Sequence, residues 1–259
     1  MRERIITAIA LLAGLLPIIF FGGNVFYVGV IAGACIATWE MVKMRETRAQ
    51  AASWVKVATF AGVLLMLMMP TFNQALRWNN FIFLALLIAN FIGIRKGKAD
   101  ISFYLLVIFY VGIAFRALWQ IRDNSLMLFI FLITTVILTD SFAYFGGRLF
   151  GKKKLAPKIS PNKTVEGAIS GWLIGGGFAF IFGLLTGLFY DMWVLIALAA
   201  FLPPLSMMGD LVASALKRQY GIKDYSNLFP GHGGVMDRID SQMLAAMLIY
   251  VMIMMGGVV

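Results

Sequence analysis

Residues 214–240 read SALKRQYGIKDYSNLFPGHGGVMDRID, a run that sets Lys217, Arg218, Lys223, Asp224, His232, Asp237, Arg238 and Asp240 between two segments hydrophobic enough to cross a bilayer. A chain anchored by such segments does not need this charge for solubility. Charge gathered at a membrane surface, with a further acid at Asp210 inside the preceding apolar segment, is what a site handling phosphates and a metal ion requires. The flanks decide the fold. With 61% hydrophobic and 13% charged residues and a mean hydropathy of +0.88, the chain lies far outside the range of soluble domains. It is expected to be all-α, a polytopic helical integral membrane protein.

Apolar runs of spanning length, roughly 17 to 25 residues, fall at 5–22, 25–43, 54–70, 79–94, 101–121, 125–149, 165–189, 192–218 and 239–258, which makes about nine transmembrane helices. The eighth is long and carries Pro203, Pro204 and Asp210, so the sequence leaves open whether it runs whole or breaks near the prolines into two half-helices. The first passes through a Gly-Gly-Asn turn straight into the second. With no small-residue cleavage site ahead of a soluble domain, it reads as a span and not a signal peptide.

The Lys and Arg residues check this map independently. Arg2 and Arg4; Lys43, Arg45, Arg48 and Lys56; Arg95, Lys96 and Lys98; Arg148, Lys152, Lys153, Lys154, Lys158 and Lys163; and Lys217, Arg218, Lys223 and Arg238 all fall on one side under strict alternation. The other side keeps only Arg77, Arg116 and Arg122. This split places the amino terminus in the cytoplasm and the carboxyl terminus outside. The formal charge of +10 is thus mostly a topology signal, and juxtamembrane cations also attract anionic lipid by about 1 kcal/mol each. Nucleic acid is not an expected partner; membrane lipids are. The single cysteine, Cys35, lies in an apolar run, which excludes an intrachain disulfide and a cysteine metal cluster.

The two halves differ in kind. Residues 1–122 form apolar spans interrupted deeply only by Glu40 and Arg116, and are expected to anchor and pack. In residues 123–259 polar groups enter the spans repeatedly: Thr134, Thr135, Thr139, Asp140, Ser141, Tyr144, Glu166, Ser170, Ser206, Asp210, Ser214 and Ser241. Chemistry is expected there. Gly167, Gly171 and Gly175 recur every four residues, a stripe for close helix packing and not for a ligand.

Asp210, Ser214, Lys217 and Arg218 share one face of a helix. A basic helix end with Asp210 paired to Lys217 or Arg218 would be the plain explanation, but an acid this deep in an apolar run is costly and points to function. Asp237 and Asp240 share the first turn of the last span. Either alone would suit a helix dipole; together with Asp210 they would repel without a cation between them. Hard carboxylate oxygens, without Cys or clustered His, point to Mg2+ over zinc. Pro230-Gly231-His232-Gly233-Gly234 is a loop able to present backbone N–H groups to a phosphate or to close on a nucleotide, with a plain tight turn as the alternative. His232, the only histidine, is as well explained by an ordinary loop hydrogen bond as by a ligand contact. Upstream, Asp140, Tyr144 and Arg148 are spaced by four. Ser160-Pro161 reads as the cap and first turn of a helix, with Lys163 and Thr164 beside it, a place for an anion. Lys152 to Lys154 belong mainly to topology.

The segment Ser214 to Asp240 resembles the signature of the phosphatidate cytidylyltransferases, also called CDP-diacylglycerol synthases. Serine, two residues, Lys-Arg, four residues, Lys-Asp, then His-Gly-Gly and Asp-Arg-x-Asp stand here as Ser214, Lys217-Arg218, Lys223-Asp224, His232-Gly233-Gly234 and Asp237-Arg238-Ile239-Asp240. Asp140, Ala143-Tyr144, Gly151, Ser160-Pro161, Lys163-Thr164, Glu166-Gly167 and Gly209-Asp210 are similar to the family's other conserved stretches. The likeness covers about residues 135–245. It implies CTP plus phosphatidate giving CDP-diacylglycerol and pyrophosphate, with Mg2+ and a second cation such as K+, in a multi-span bacterial inner-membrane enzyme that works as a homodimer and faces the cytoplasm. Under it, Asp210 and Asp237 are metal ligands and Asp240 and Asp140 ligands or acids just behind them. Lys217, Arg218, Lys163 and Arg238 clamp phosphates, and Tyr144, Ser160, Ser214, Lys223, Asp224, His232, Gly233 and Gly234 line the substrates. Two alternatives stand beside it: a CTP-using enzyme acting on another lipid phosphate, and an ion-coupled transporter, which would place polar residues along a path through both sides of the membrane.

Overall fold

A computed structural model of the chain describes residues 2–95 and 102–258. The expected connection through Lys96 and Lys98 lies outside the described residues. Nine helices are described: α1 (Arg2–Phe21), α2 (Gly23–Glu46), α3 (Ser53–Met68), α4 (Phe72–Arg95), α5 (Ser102–Asn124), α6 (Leu126–Phe150), α7 (Val165–Thr186), α8 (Met192–Gln219) and α9 (Met236–Met254). Five of them, α2, α5, α6, α7 and α8, are long and apolar enough to cross a membrane, and the protein is an integral membrane protein built of helices. The exception to an all-α fold is a short antiparallel hairpin of β1 (Lys154–Ala156) and β2 (Ser160–Thr164). The chain divides into two compact units, Met1–Trp119 with Tyr220–Asp237, and Gln120–Gln219 with Arg238–Val259.

In the first unit, Arg116 of α5 is 2% exposed and donates to the carbonyls of Met66 (2.6 Å), Met69 (3.0 Å) and Pro70 (3.4 Å). These carbonyls close α3, where the helix has no amides left to offer, and a guanidinium also suits the negative end of the dipole. The deep arginine is therefore a clamp on a helix end.

In the second unit the glycine stripe of α7 does what its spacing suggests. A Cβ at Gly167 would reach the carbonyl of Ala143, at Gly171 that of Thr139, and at Gly175 the Thr139 hydroxyl. Because Thr139, Ala143 and Gly147 are themselves four apart on α6, two smooth ridges lie backbone against backbone.

One expectation is corrected here, and one question the sequence left open is decided. First, Ser160-Pro161 does not begin a helix; it opens β2. The helix starts later because Thr164 caps it, its Oγ1 accepting from Gly167 N at 3.2 Å. Glu166 accepts the amides of Lys152 (3.0 Å) and Lys153 (3.2 Å), which draws residues 152–164 back as a hairpin, and Pro161 is tolerated because a two-stranded sheet has only edges. Second, α8 runs unbroken through Pro203 and Pro204. The prolines lack the N–H groups that would bond Ala199 and Ala200. Trp172 of α7 supplies the missing donor, its Nε1 lying 2.8 Å from the Ala200 carbonyl, while Gly176 packs directly on the Ala199 carbonyl. A neighbouring helix thus satisfies one of the two carbonyls that the prolines free.

Candidate active site

The α6–α7 contact and the unbroken α8 together fix a cleft of about 440 Å³ in the second unit. Asp140, Tyr144 and Arg148 reach it from α6, Asn162 and Lys163 from β2, and Asp210 from α8. Asp210 is held from two sides: Ser214 Oγ donates to its Oδ1 at 3.2 Å, and Lys163 Nζ forms an ion pair with its Oδ2. The expected face of Asp210 and Ser214 is therefore present, but the cation paired with the acid comes from the hairpin 47 positions earlier in the sequence and not from its own helix. Asp140 accepts a hydrogen bond from Ser241 of α9 and interacts electrostatically with both Asp210 and Lys163. Two acids, a lysine and an arginine thus line one opening. Next to Asp210, Gly209 lets α8 approach α9 so closely that a Cβ there would collide with the Asp240 carbonyl. Lys217 is nearly buried, whereas Arg218 and Arg238 are exposed, and Ser160 is half-buried in the hairpin.

The remaining residues singled out in the sequence belong to the first unit. Tyr220 opens their loop, lying under the Arg48 guanidinium at 5.3 Å and edge-on to Phe103 at 5.5 Å. Lys223 and Asp224 are exposed. Phe229 and Gly233 exchange backbone hydrogen bonds of 2.9 and 3.1 Å, and His232 N donates to the Phe229 carbonyl at 2.8 Å. Asp237 Oδ2 accepts Tyr225 N at 2.8 Å and Gly234 N at 2.9 Å. Gly233, at φ 82°, lies so close to this carboxylate that a Cβ would stand 2.7 Å from Oδ2. The loop amides from His232 to Met236 all have internal acceptors. The loop is a closed turn, and not an open ring of donors awaiting phosphate. His232 Nδ1 is buried and finds no partner among the described residues.

No three His, Cys, Asp or Glu side chains gather at one point among the described residues. Of the expected metal ligands, Asp237 belongs to the first unit and Asp210 and Asp240 to the second. The donors around Asp140 and Asp210 are carboxylates and serine hydroxyls, a hard oxygen set that fits a divalent cation. Glu40, legible in the sequence only as an interruption of an anchoring span, is fully buried and bound to the loop of residues 226–236. Its one signal was its isolation as an acid in an apolar helix.

A helical membrane protein whose cleft combines two acids with lysine and arginine is suited to anionic phosphate substrates. Residues 2–255 match the Cytidylyltransferase family, and the chain belongs to it. The match takes in the first half as well as residues 135–245. Over 269 residues the chain is 33% identical to a phosphatidate cytidylyltransferase of Staphylococcus saprophyticus subsp. saprophyticus. It is 32% identical to the proteins of the same name from Staphylococcus epidermidis over 265 residues and Staphylococcus aureus over 270 residues. Each comparison covers 98% of this chain and 99% of the relative.

Proposed function

We propose that the protein is a nucleotidyltransferase converting CTP and phosphatidate into CDP-diacylglycerol and pyrophosphate. Its relatives carry that activity in their names along nearly their whole length. The observation that best supports the chemistry is the Lys163–Asp210 pair beside Asp140 in one cleft. A phosphate oxygen of the lipid attacks the α-phosphorus of CTP, and the bond from that phosphorus to the bridging oxygen of the β-phosphate breaks, releasing pyrophosphate with the electron pair. The lipid phosphate is already ionised near neutral pH, so no base is required and His232 need not serve as one. Both reactants are polyanions. Lys163, released from Asp210 as a phosphate arrives, clamps it, with Lys217, Arg218 and Arg238 as further clamps. Tyr144, Ser160 and Ser214 border the lipid or nucleotide, while Lys223, Asp224, His232, Gly233 and Gly234 form a nucleotide-facing loop. Asp210 and Asp237, with Asp240 and Asp140 in support, are the residues that would hold Mg2+, and K+ is a candidate second cation. When bound, the metal supplies positive charge that offsets the repulsion between the two substrates.

Residues 123–259 carry most of this chemistry and residues 1–122 chiefly anchor it. The chain crosses the cell membrane nine times with its amino terminus in the cytoplasm, faces cytosolic CTP, and works as a homodimer. The alternation of Lys and Arg supports that topology. Membranes containing the protein, incubated with labelled CTP and a panel of lipid phosphates, are expected to form a CDP-lipid from phosphatidate. Formation from another lipid phosphate, with phosphatidate inert, would transfer the assignment to that substrate.

A further inference from the structure

Glu40 lies within α2, an apolar helix of spanning length, and is 0% exposed. A carboxylate in such a place is tolerated only when donors surround it. Among the described residues its three donors come from one remote stretch: Ser226 Oγ at 2.6 Å and Val235 N at 2.9 Å reach Oε1, and Met236 N at 2.9 Å reaches Oε2. Three converging N–H and O–H donors suit an ionised carboxylate. Val235 immediately precedes α9 and Met236 opens it, where the first amides lack partners within the helix and the dipole favours negative charge. Gly234 is pressed against the same group, and a Cβ there would overlap Oε1. Its amide goes instead to Asp237. The amides of residues 234, 235 and 236 are thus shared in succession between two carboxylates, one of them a proposed metal ligand.

We infer that Glu40 is a positioning residue for cytidylyl transfer. It latches the Ser226–Met236 loop in the conformation that presents Asp237 to the nucleotide, and so a residue of the anchoring half sets a part of the reaction site. The inference rests on the nucleotide-facing role given to this loop above. When the latch is lost, the competent loop becomes a fraction of the ensemble. Apparent CTP affinity then falls by that fraction, while the chemistry of the bound complex is preserved. In Glu40→Gln one acceptor oxygen becomes a donor nitrogen, so at least one of the three donors faces another donor.

With the purified full chain in detergent, Glu40→Gln is expected to raise KM for CTP about tenfold. Saturated kcat should stay within about threefold of the parent protein, and KM for phosphatidate should not change. The amides of residues 225–236 should also exchange faster with solvent in the absence of substrates. A residue that merely packs would lower thermal stability and kcat without a rise in KM confined to CTP. Ser226→Ala removes one donor to Glu40 and the acceptor of the Leu228 amide (3.2 Å) but leaves both amide bonds to Glu40, so it should show the same split at about two- to threefold. Unchanged CTP KM and unchanged exchange in Glu40→Gln overturn the inference. If Glu40→Gln does not fold, the same null result in Ser226→Ala overturns it, and the split there sustains it. Failure of the parent protein to use phosphatidate would count against the proposed function alone. Exchange at residues 225–236 needs no substrate and still decides whether the latch exists.

Discussion

Replacing Lys163 by Met tests whether the cleft is built for phosphate. Lys163 and Asp210 are an ion pair with side-chain exposures of 27% and 29%, shielded enough for a charge to matter and open enough for a substrate to reach. Met keeps the apolar stem and deletes the charge. The cost in stability should be small. Losing a pair this accessible costs about 1 kcal/mol or less, and the unscreened repulsion between Asp210 and Asp140 adds about as much again. The cost in turnover should be larger, because a cation aimed at developing phosphate charge in a shielded site contributes about 2.7–4 kcal/mol. In CDP-lipid formation from labelled CTP, kcat/KM should therefore fall about 10²- to 10³-fold. Lys153→Met, an exposed lysine of the same connection, is the comparison and should stay within about threefold. Equal losses at the two positions would refute the clamp in favour of a diffuse basic surface. Recovery of activity when Asp210→Asn is added to Lys163→Met would show that Lys163 matters only as a counter-ion.

Asp237→Asn retains one side-chain oxygen for the amides of Tyr225 and Gly234, so insertion and thermal midpoint should hold while turnover falls by about 100-fold or more, measured on purified protein at limiting Mg2+. Trp172→Phe keeps the ring but strands the Ala200 carbonyl freed by Pro204. Thermal unfolding in detergent should show a loss of about 1–3 kcal/mol, with kcat preserved below the transition. Gly171→Leu would drive a side chain into the Thr139 carbonyl and Ala143 and should part α6 from α7, lowering stability by about 1–3 kcal/mol or more. Gly177→Ala, where a Cβ meets nothing within 4 Å, should be tolerated. Cysteines placed at Lys153 and Lys223 should label from the same side of the membrane, and labelling from opposite sides would break the nine-span topology.

The apolar helices were legible because lipid imposes a local, one-dimensional demand. Any run of suitable length and hydropathy must become a helix, whatever it later touches. That is why expected runs at 125–149 and 192–218 correspond closely to α6 and α8; the four-residue glycine period announced close packing of α7, with the partner helix left to the structure. That Asp210 and Ser214 share one helix face was legible too, because the helical period sets it; the hydrogen bond between them came from the structure. What only the tertiary structure decided is where unmet hydrogen bonds and charges find their partners. Pro203 and Pro204 left the continuity of their helix open, and Trp172, 28 residues from the Ala200 carbonyl it serves, keeps the helix whole. Lys163 read as the neighbour of a helix start, yet it is the counter-charge of Asp210 from the end of a hairpin. Glu40 read as an interruption in an anchor, yet it holds Met236 across 196 positions. Hydropathy is summed along a segment and can be read there. Satisfaction of a buried polar group depends on whichever donor the folded chain brings within 3 Å, and no local pattern encodes that distance.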